Sequence, residues 1–243
     1  MRTAITLRFN CQFHSSYYLP IILCVFYTQF VLVVVFIQQS SAVNQSTNMS
    51  INLCCAWDEQ ISDGVLKYRI IDMEHGQRNE VGEAFHSWNK QLAGLRLVEV
   101  ASPEENVEIV VTIGDIDNGN TNQFVKNKGA GQVAGQSVNN LDQDGDIKNA
   151  TIILSDEVFK KRSDPKTLFA VVQHEIGHVL GLGHANFNDD LMNPMVTSEI
   201  DKVSVCDVDG VIKVNEGTLM KKILPSYLPD LEGKRVVNCS EAT

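Results

Sequence analysis

Hydrophobic positions fall into three patterns along the chain. From Tyr17 to Ile37 only Pro20, Thr28 and Gln29 interrupt an apolar run of 21 residues. About 20 apolar residues span a bilayer as a helix, and the core of a signal peptide is shorter, about 7–15. The run reads as a transmembrane signal anchor over 17–37 behind a cytoplasmic segment, 1–16. Arg2 and Arg8 precede it and no basic residue follows until Lys67, which keeps the amino end inside. Ser40-Ser41-Ala42 supplies the small residues of a cleavage site, so a removed signal peptide is the alternative. Either reading puts the rest of the chain outside the cell, at the cell surface or secreted.

Beyond a polar Asn- and Ser-rich linker at Val43–Ser50, the pattern changes to short runs and helical spacings. Val65–Ile71, Leu95–Val100, Val107–Ile113 and Ala150–Leu154 are β-rich runs and predict strands, with a weaker one at Gln132–Val138. Val81, Ala84, Phe85, Trp88 and Leu92 recur at helical spacing and predict an amphipathic helix. A second helix is predicted from Asp164-Pro165, an N-cap with proline at the first helical position. It continues through Leu168, Phe169, Val172, Ile176, Val179 and Leu180. Strand, helix, several strands, then helix describes an α+β domain.

Charge narrows the function. Past position 57 there are 30 acidic and 18 basic residues, a balance of −12 within a chain total of −10. Nucleic acid is held by clustered Lys and Arg, so that partner is excluded. Four sequons, beginning at Asn44, Asn48, Asn149 and Asn238, permit glycosylation of an exported chain. Cys11 and Cys24 fall in the leader, leaving Cys54, Cys55, Cys206 and Cys239. Outside the cell these four predict two disulfides, with three connectivities open. Neighbouring cysteines rarely bond to each other, so Cys54 and Cys55 are expected to reach Cys206 and Cys239.

The second helix carries the chemistry. In His174-Glu175-Ile176-Gly177-His178-Val179-Leu180-Gly181-Leu182-Gly183-His184, the first two histidines lie one turn apart and face the same way. Gly181 can take the left-handed conformation that ends a helix, which swings His184 back as a third ligand. Three neutral imidazoles leave one tetrahedral position for water, the pattern of a catalytic zinc ion. Glu175 sits beside His174 as candidate general base. The five fixed letters arise by chance on the order of once in 10⁵ sequences of this composition. His75 and His86 are read as surface or packing residues, and Gly177 as a concession to close packing against the sheet.

With those residues the chain resembles the metzincin zinc endopeptidases, most closely the matrixins. His174, His178 and His184 match the family's zinc ligands and Glu175 its general base. Leu191-Met192-Asn193-Pro194-Met195 is similar to the Met-turn, with Met192 at the position beneath the metal. Ala84–Asn89 is similar to the family's first helix, and Ser204–Val211 to its closing helix, where Asp207 matches a carboxylate supporting the Met-turn. The resemblance covers about 61–215. It implies a metzincin-like catalytic domain: a twisted mixed sheet with an active-site helix and a closing helix, and a cleft between two subdomains. A linker with the cysteine pair (38–60) would precede that domain, and a carboxy-terminal extension (216–243) would follow.

The departures are informative. Ala185 stands where matrixins usually carry Ser, and Cys206 replaces the first acid of the closing-helix pair. No cysteine-switch motif precedes the domain, which leaves a zinc-capping role for Cys54 or Cys55 as the alternative to disulfides. Gly129–Leu154 lacks the histidines of a second, structural zinc. Asp142-Gln143-Asp144-Gly145-Asp146 suits calcium or a solvated turn, since Ile153 occupies the place of the closing Glu in a complete calcium loop. The expected protein is thus a zinc metalloendopeptidase acting on peptide bonds of extracellular or cell-surface proteins. The competing classes are a catalytically silent binding protein on this scaffold and a structural zinc protein with a fourth protein ligand.

Overall fold

A computed structural model describes residues 48–116, 133–159, 165–197, 199–223 and 236–239. The apolar run 17–37 and the expected cap Asp164 lie outside the described residues. Among the described residues, no helix is long and apolar enough to cross a membrane.

The strands are β1 (Ser50–Leu53), β2 (Val65–Ile70), β3 (Arg96–Glu99), β4 (Ile109–Gly114), β5 (Gly135–Leu141), β6 (Ile147–Ser155), β7 (Leu182–Ala185) and β8 (Val236–Asn238). The long helices are α1 (His75–Gln91), α2 (Pro165–Val179) and α3 (Val205–Ile223). A five-stranded sheet has the order β3-β2-β4-β6-β5, parallel except for β5, which runs antiparallel to β6 at the edge. The α+β mixed-sheet expectation therefore holds for the domain.

The core follows from alternation in the strands meeting helical spacing in α1. Leu66, Tyr68 and Ile70 of β2 are buried, as are Ile109 and Val111 of β4. Val81, Ala84, Phe85 and Trp88 of α1 are likewise buried, and the Tyr68 and Phe85 rings stack at 3.7 Å. Helix α1 starts at His75, six residues before the apolar spacing begins, because its first turn is polar. Gln77 Oε1 there accepts the Glu74 N–H at 3.2 Å, a capping contact that apolar periodicity does not reveal.

A second, three-stranded sheet, β7-β1-β8, is antiparallel. Its register corrects the expected cysteine pairing: Cys54 joins Cys55, and Cys206 joins Cys239. Ser50 lies opposite Asn238, and the Cys239 N–H donates to the Met49 carbonyl at 2.8 Å. Cys54 sits five residues along from Met49, roughly 16 Å at strand rise, beyond the ~7 Å Cα separation a disulfide spans. The alternative of a zinc-capping thiol falls with it, because both neighbours are bonded to each other.

Candidate metal centre

Helix α2 is buried along its functional stretch, with every residue from Ala170 to Val179 largely shielded from solvent. His174 and His178, four apart, project from one face. After Val179 the chain passes through Gly181 at φ +100°. A side chain there is excluded twice: the backbone is left-handed, and a Cβ would collide with the Cys55 carbonyl oxygen. The reversal feeds β7, which brings His184 to the other two. The predicted role of Gly181 is thus fulfilled.

The last carbonyls of a helix lack partners within it. Here three distant side chains supply them. Trp57 Nε1 donates to Val179 O at 2.8 Å, Asn215 Nδ2 to Leu180 O at 3.0 Å, and Asn139 Nδ2 to His178 O at 3.0 Å. The Cys54 N–H donates to Gly181 O at 2.9 Å. The end of α2, which carries His178, is therefore tied to the segment that follows β1, to β5 and to α3.

One potential ligand atom from each of His174, His178 and His184 lies within 4.8 Å of the other two. His174 Nδ1 is 2.6 Å from Leu191 O, and His178 Nδ1 is 2.9 Å from Leu182 O. A carbonyl only accepts, so each Nδ1 carries the proton and each Nε2 keeps its lone pair. Burial lowers the pKa of all three histidines, that of His174 to about 4 and that of His178 well below the usual value. Three neutral imidazoles, those of His174 and His178 oriented by backbone carbonyls, are the donor set that zinc takes. Among the described residues no fourth Cys, His or carboxylate joins them.

Glu175 is buried, with its Oε2 accepting the Ser137 hydroxyl of β5 at 2.6 Å. Burial pushes its carboxyl up to about 7, against hydrogen bonds from Ser137 that favour the charged form. Met192 is fully buried below α2, and its Sδ faces Gly177. The glycine hence makes room for Met192 and for Trp88 of α1, not for the sheet as the sequence suggested. Asp190 Oδ1 accepts the Met192 N–H at 2.8 Å, and Met192 O accepts the Ala185 N–H at 2.8 Å.

Asp207 is fully buried in the first turn of α3. It forms a reciprocal cap with Ser204: Ser204 N–H to Asp207 Oδ2 at 2.7 Å, and Asp207 N–H to Ser204 Oγ at 3.0 Å. Ser204 Oγ also donates to Asp190 Oδ2 at 3.2 Å, linking α3 to the loop that holds Met192. Burial and then the charge of Asp190 push Asp207 up to about 7, and the two carboxyls face each other.

Ser137, Asn139, Trp57, Asn215 and Asp190 were not singled out from the sequence. Only Asp190, next to Leu191-Met192, carried a local signal. His75 and His86 are exposed, away from the cluster. Asp142–Asp146 forms the β5–β6 turn, where Asp142 Oδ1 accepts the N–H groups of Asp144 and Asp146 at 2.9 and 3.0 Å.

No curated protein matches the chain. A family model described as Matrixin matches residues 56–215. That span begins one residue before Trp57 and ends on Asn215, the two residues whose side chains cap the end of the histidine-bearing helix, and it places the chain in the matrixin family of metalloendopeptidases.

Proposed function

We propose that this matrixin hydrolyses peptide bonds of extracellular or cell-surface proteins, with Glu175 as general base and His174, His178 and His184 as zinc ligands. The observation that carries the reading is three neutral imidazoles converging beside a buried carboxylate. Zinc, when bound there, supplies Lewis-acid polarisation of the scissile carbonyl and a lowered pKa for water. Glu175 takes the proton of the attacking water and returns it to the leaving amine, with its carboxylate held by Ser137. Met192 packs beneath α2 as the Met-turn residue, and Asp207 supports it through Ser204 and Asp190.

Among the described residues strand β5 lies at the end of the sheet order, and a substrate lying extended along it would pair backbone to backbone. Residues from Asn193 to about Lys202 would shape the pocket for the side chain after the cut. The catalytic core is the 61–215 span, completed by β1 and β8 from either side. Export through residues 17–37, as a single-pass anchor or a cleaved signal, places the enzyme at the cell surface or in secretion. It rests on the apolar run alone. Cleavage of a mixed peptide library by the purified chain, lost on chelation and recovered with zinc, tests the activity. A His178→Ala protein that keeps full metal and full cleavage overturns the ligand assignment.

A further inference from the structure

Strand β5 is a weak strand by composition, with Gly135, Gln136, Ser137, Asn139 and Asn140 among its seven residues. Propensity does not explain this sequence, but the neighbours of alternate positions do. Residues 135, 137 and 139 share one face, and each meets α2. A Cβ at Gly135 would come within 2.7 Å of Val171 Cγ1 and 2.9 Å of Glu175 Oε1. Ser137 Oγ donates to Glu175 Oε2 at 2.6 Å, and Asn139 Nδ2 to His178 O at 3.0 Å. Val171, Glu175 and His178 stand at i, i+4 and i+7, one stripe of the helix. The strand face and the helix stripe are matched position by position.

We propose that Ser137 is a positioning residue for peptide hydrolysis: its hydroxyl fixes the Glu175 carboxylate in one orientation, and Gly135 leaves the room that orientation needs. This rests on the reading of Glu175 as general base. An O–H···O⁻ contact of 2.6 Å lies in the charge-assisted range, which is stronger and more directional than a neutral bond. A glutamate has several rotatable bonds, and general-base catalysis needs its oxygen held within reach of the reacting water. The Ser137 backbone N–H also bonds the carboxylate, so the hydroxyl is the part of this grip that Ser137→Ala removes. Removing the hydroxyl leaves the β5–β6 ladder in place, because Ser137 pairs with Ile152 through the backbone.

The test uses the full chain, matched for zinc content, with Ser137→Ala, Ser137→Thr, Glu175→Ala and the Ser137→Ala/Glu175→Ala double variant. Ser137→Ala should lower kcat about tenfold or more with KM changed less than about twofold, as expected for a group acting only in the transition state. Ser137→Thr, which restores a hydroxyl, should return kcat to within about threefold of the parent. In the Glu175→Ala background Ser137→Ala should change the residual rate by less than about twofold, since no carboxylate remains to orient. Without metal, the same cycle should give non-additive shifts in melting temperature. Parent-like kcat in Ser137→Ala, an effect confined to KM, or an equal loss in both backgrounds overturns the positioning role while leaving the general base intact. Parent-like cleavage by Glu175→Ala instead overturns the general-base reading itself.

Discussion

Gly177→Ala perturbs the centre without touching a ligand. The added methyl would overlap Met192 Sδ, lie 3.0 Å from Met192 Cε and rest 3.4 Å from Trp88 Cζ2. Met192 and Trp88 are both fully buried, so neither moves into solvent. Forcing a methyl into a packed interior costs about 1–3 kcal/mol. Alanine in a helix interior returns about 0.5–1 kcal/mol relative to glycine. The balance is a net loss of up to roughly 2.5 kcal/mol, or up to about 10 °C in melting temperature for a domain of this size. The functional effect is the larger one. Met192 follows Leu191, whose carbonyl fixes the His174 ring at 2.6 Å, so a displaced thioether shifts a ligand's support. Loss of such an outer contact typically weakens metal binding 10–100-fold. Zinc affinity by chelator competition and unfolding of the metal-free protein are the two assays. Met192→Ala in the same chain vacates the contested space, so the double variant should be more stable than the summed single losses by about 1 kcal/mol or more. A Gly177→Ala protein that is stabilised and binds zinc like the parent would refute the packing argument.

Two other predictions concern the elements around the centre. Asp207 is pushed up to about 7, so the folded protein holds a proton that the unfolded chain releases near pH 3.9. The stability this contributes is complete below about pH 4 and is lost as pH rises through about 7. Asp207→Asn keeps a donor facing Asp190 and should flatten that part of a urea-unfolding profile between pH 4 and 8, whereas parallel profiles would contradict it. Asn215→Leu leaves the Trp57 N–H and the Leu180 carbonyl without their buried partner. At about 1–3 kcal/mol for each stranded group, it should cost roughly 2–5 kcal/mol in denaturant unfolding. A loss below 1 kcal/mol would show the helix end to be held by other means.

The histidine cluster and its neighbouring carboxylate were legible because His174 through Met192 is one continuous stretch, its geometry set by helical spacing and a glycine stop. The large sheet was legible from runs such as Ile109–Gly114, whose apolar residues are continuous enough to announce a strand. Strands β1 and β8 were not, since four and three residues carry almost no period and pair across more than 180 positions of chain. The cysteine pairing was lost with them, because only that register puts Cys239 beside Met49. Ser137 and Asn139 were hidden for a related reason: in a strand of glycine, serine and asparagine, nothing local says which face meets a helix. Trp57 and Asn215 read as ordinary core residues until the carbonyls at the end of α2 are followed to their partners.

The central claim is that Glu175 moves the proton in peptide hydrolysis at a zinc held by His174, His178 and His184. Glu175→Gln preserves shape and the acceptor for Ser137 but takes up no proton at neutral pH. General acid–base participation contributes about 10²–10⁴-fold, or about 2.7–5.5 kcal/mol of barrier. The decisive measurement is peptide cleavage by parent and Glu175→Gln proteins matched for bound zinc, so that metal loss cannot mimic the effect. A fall of at least about 10²-fold in kcat with substrate affinity little changed is the predicted result. A zinc-loaded Gln variant that cleaves at the parent rate would contradict the claim.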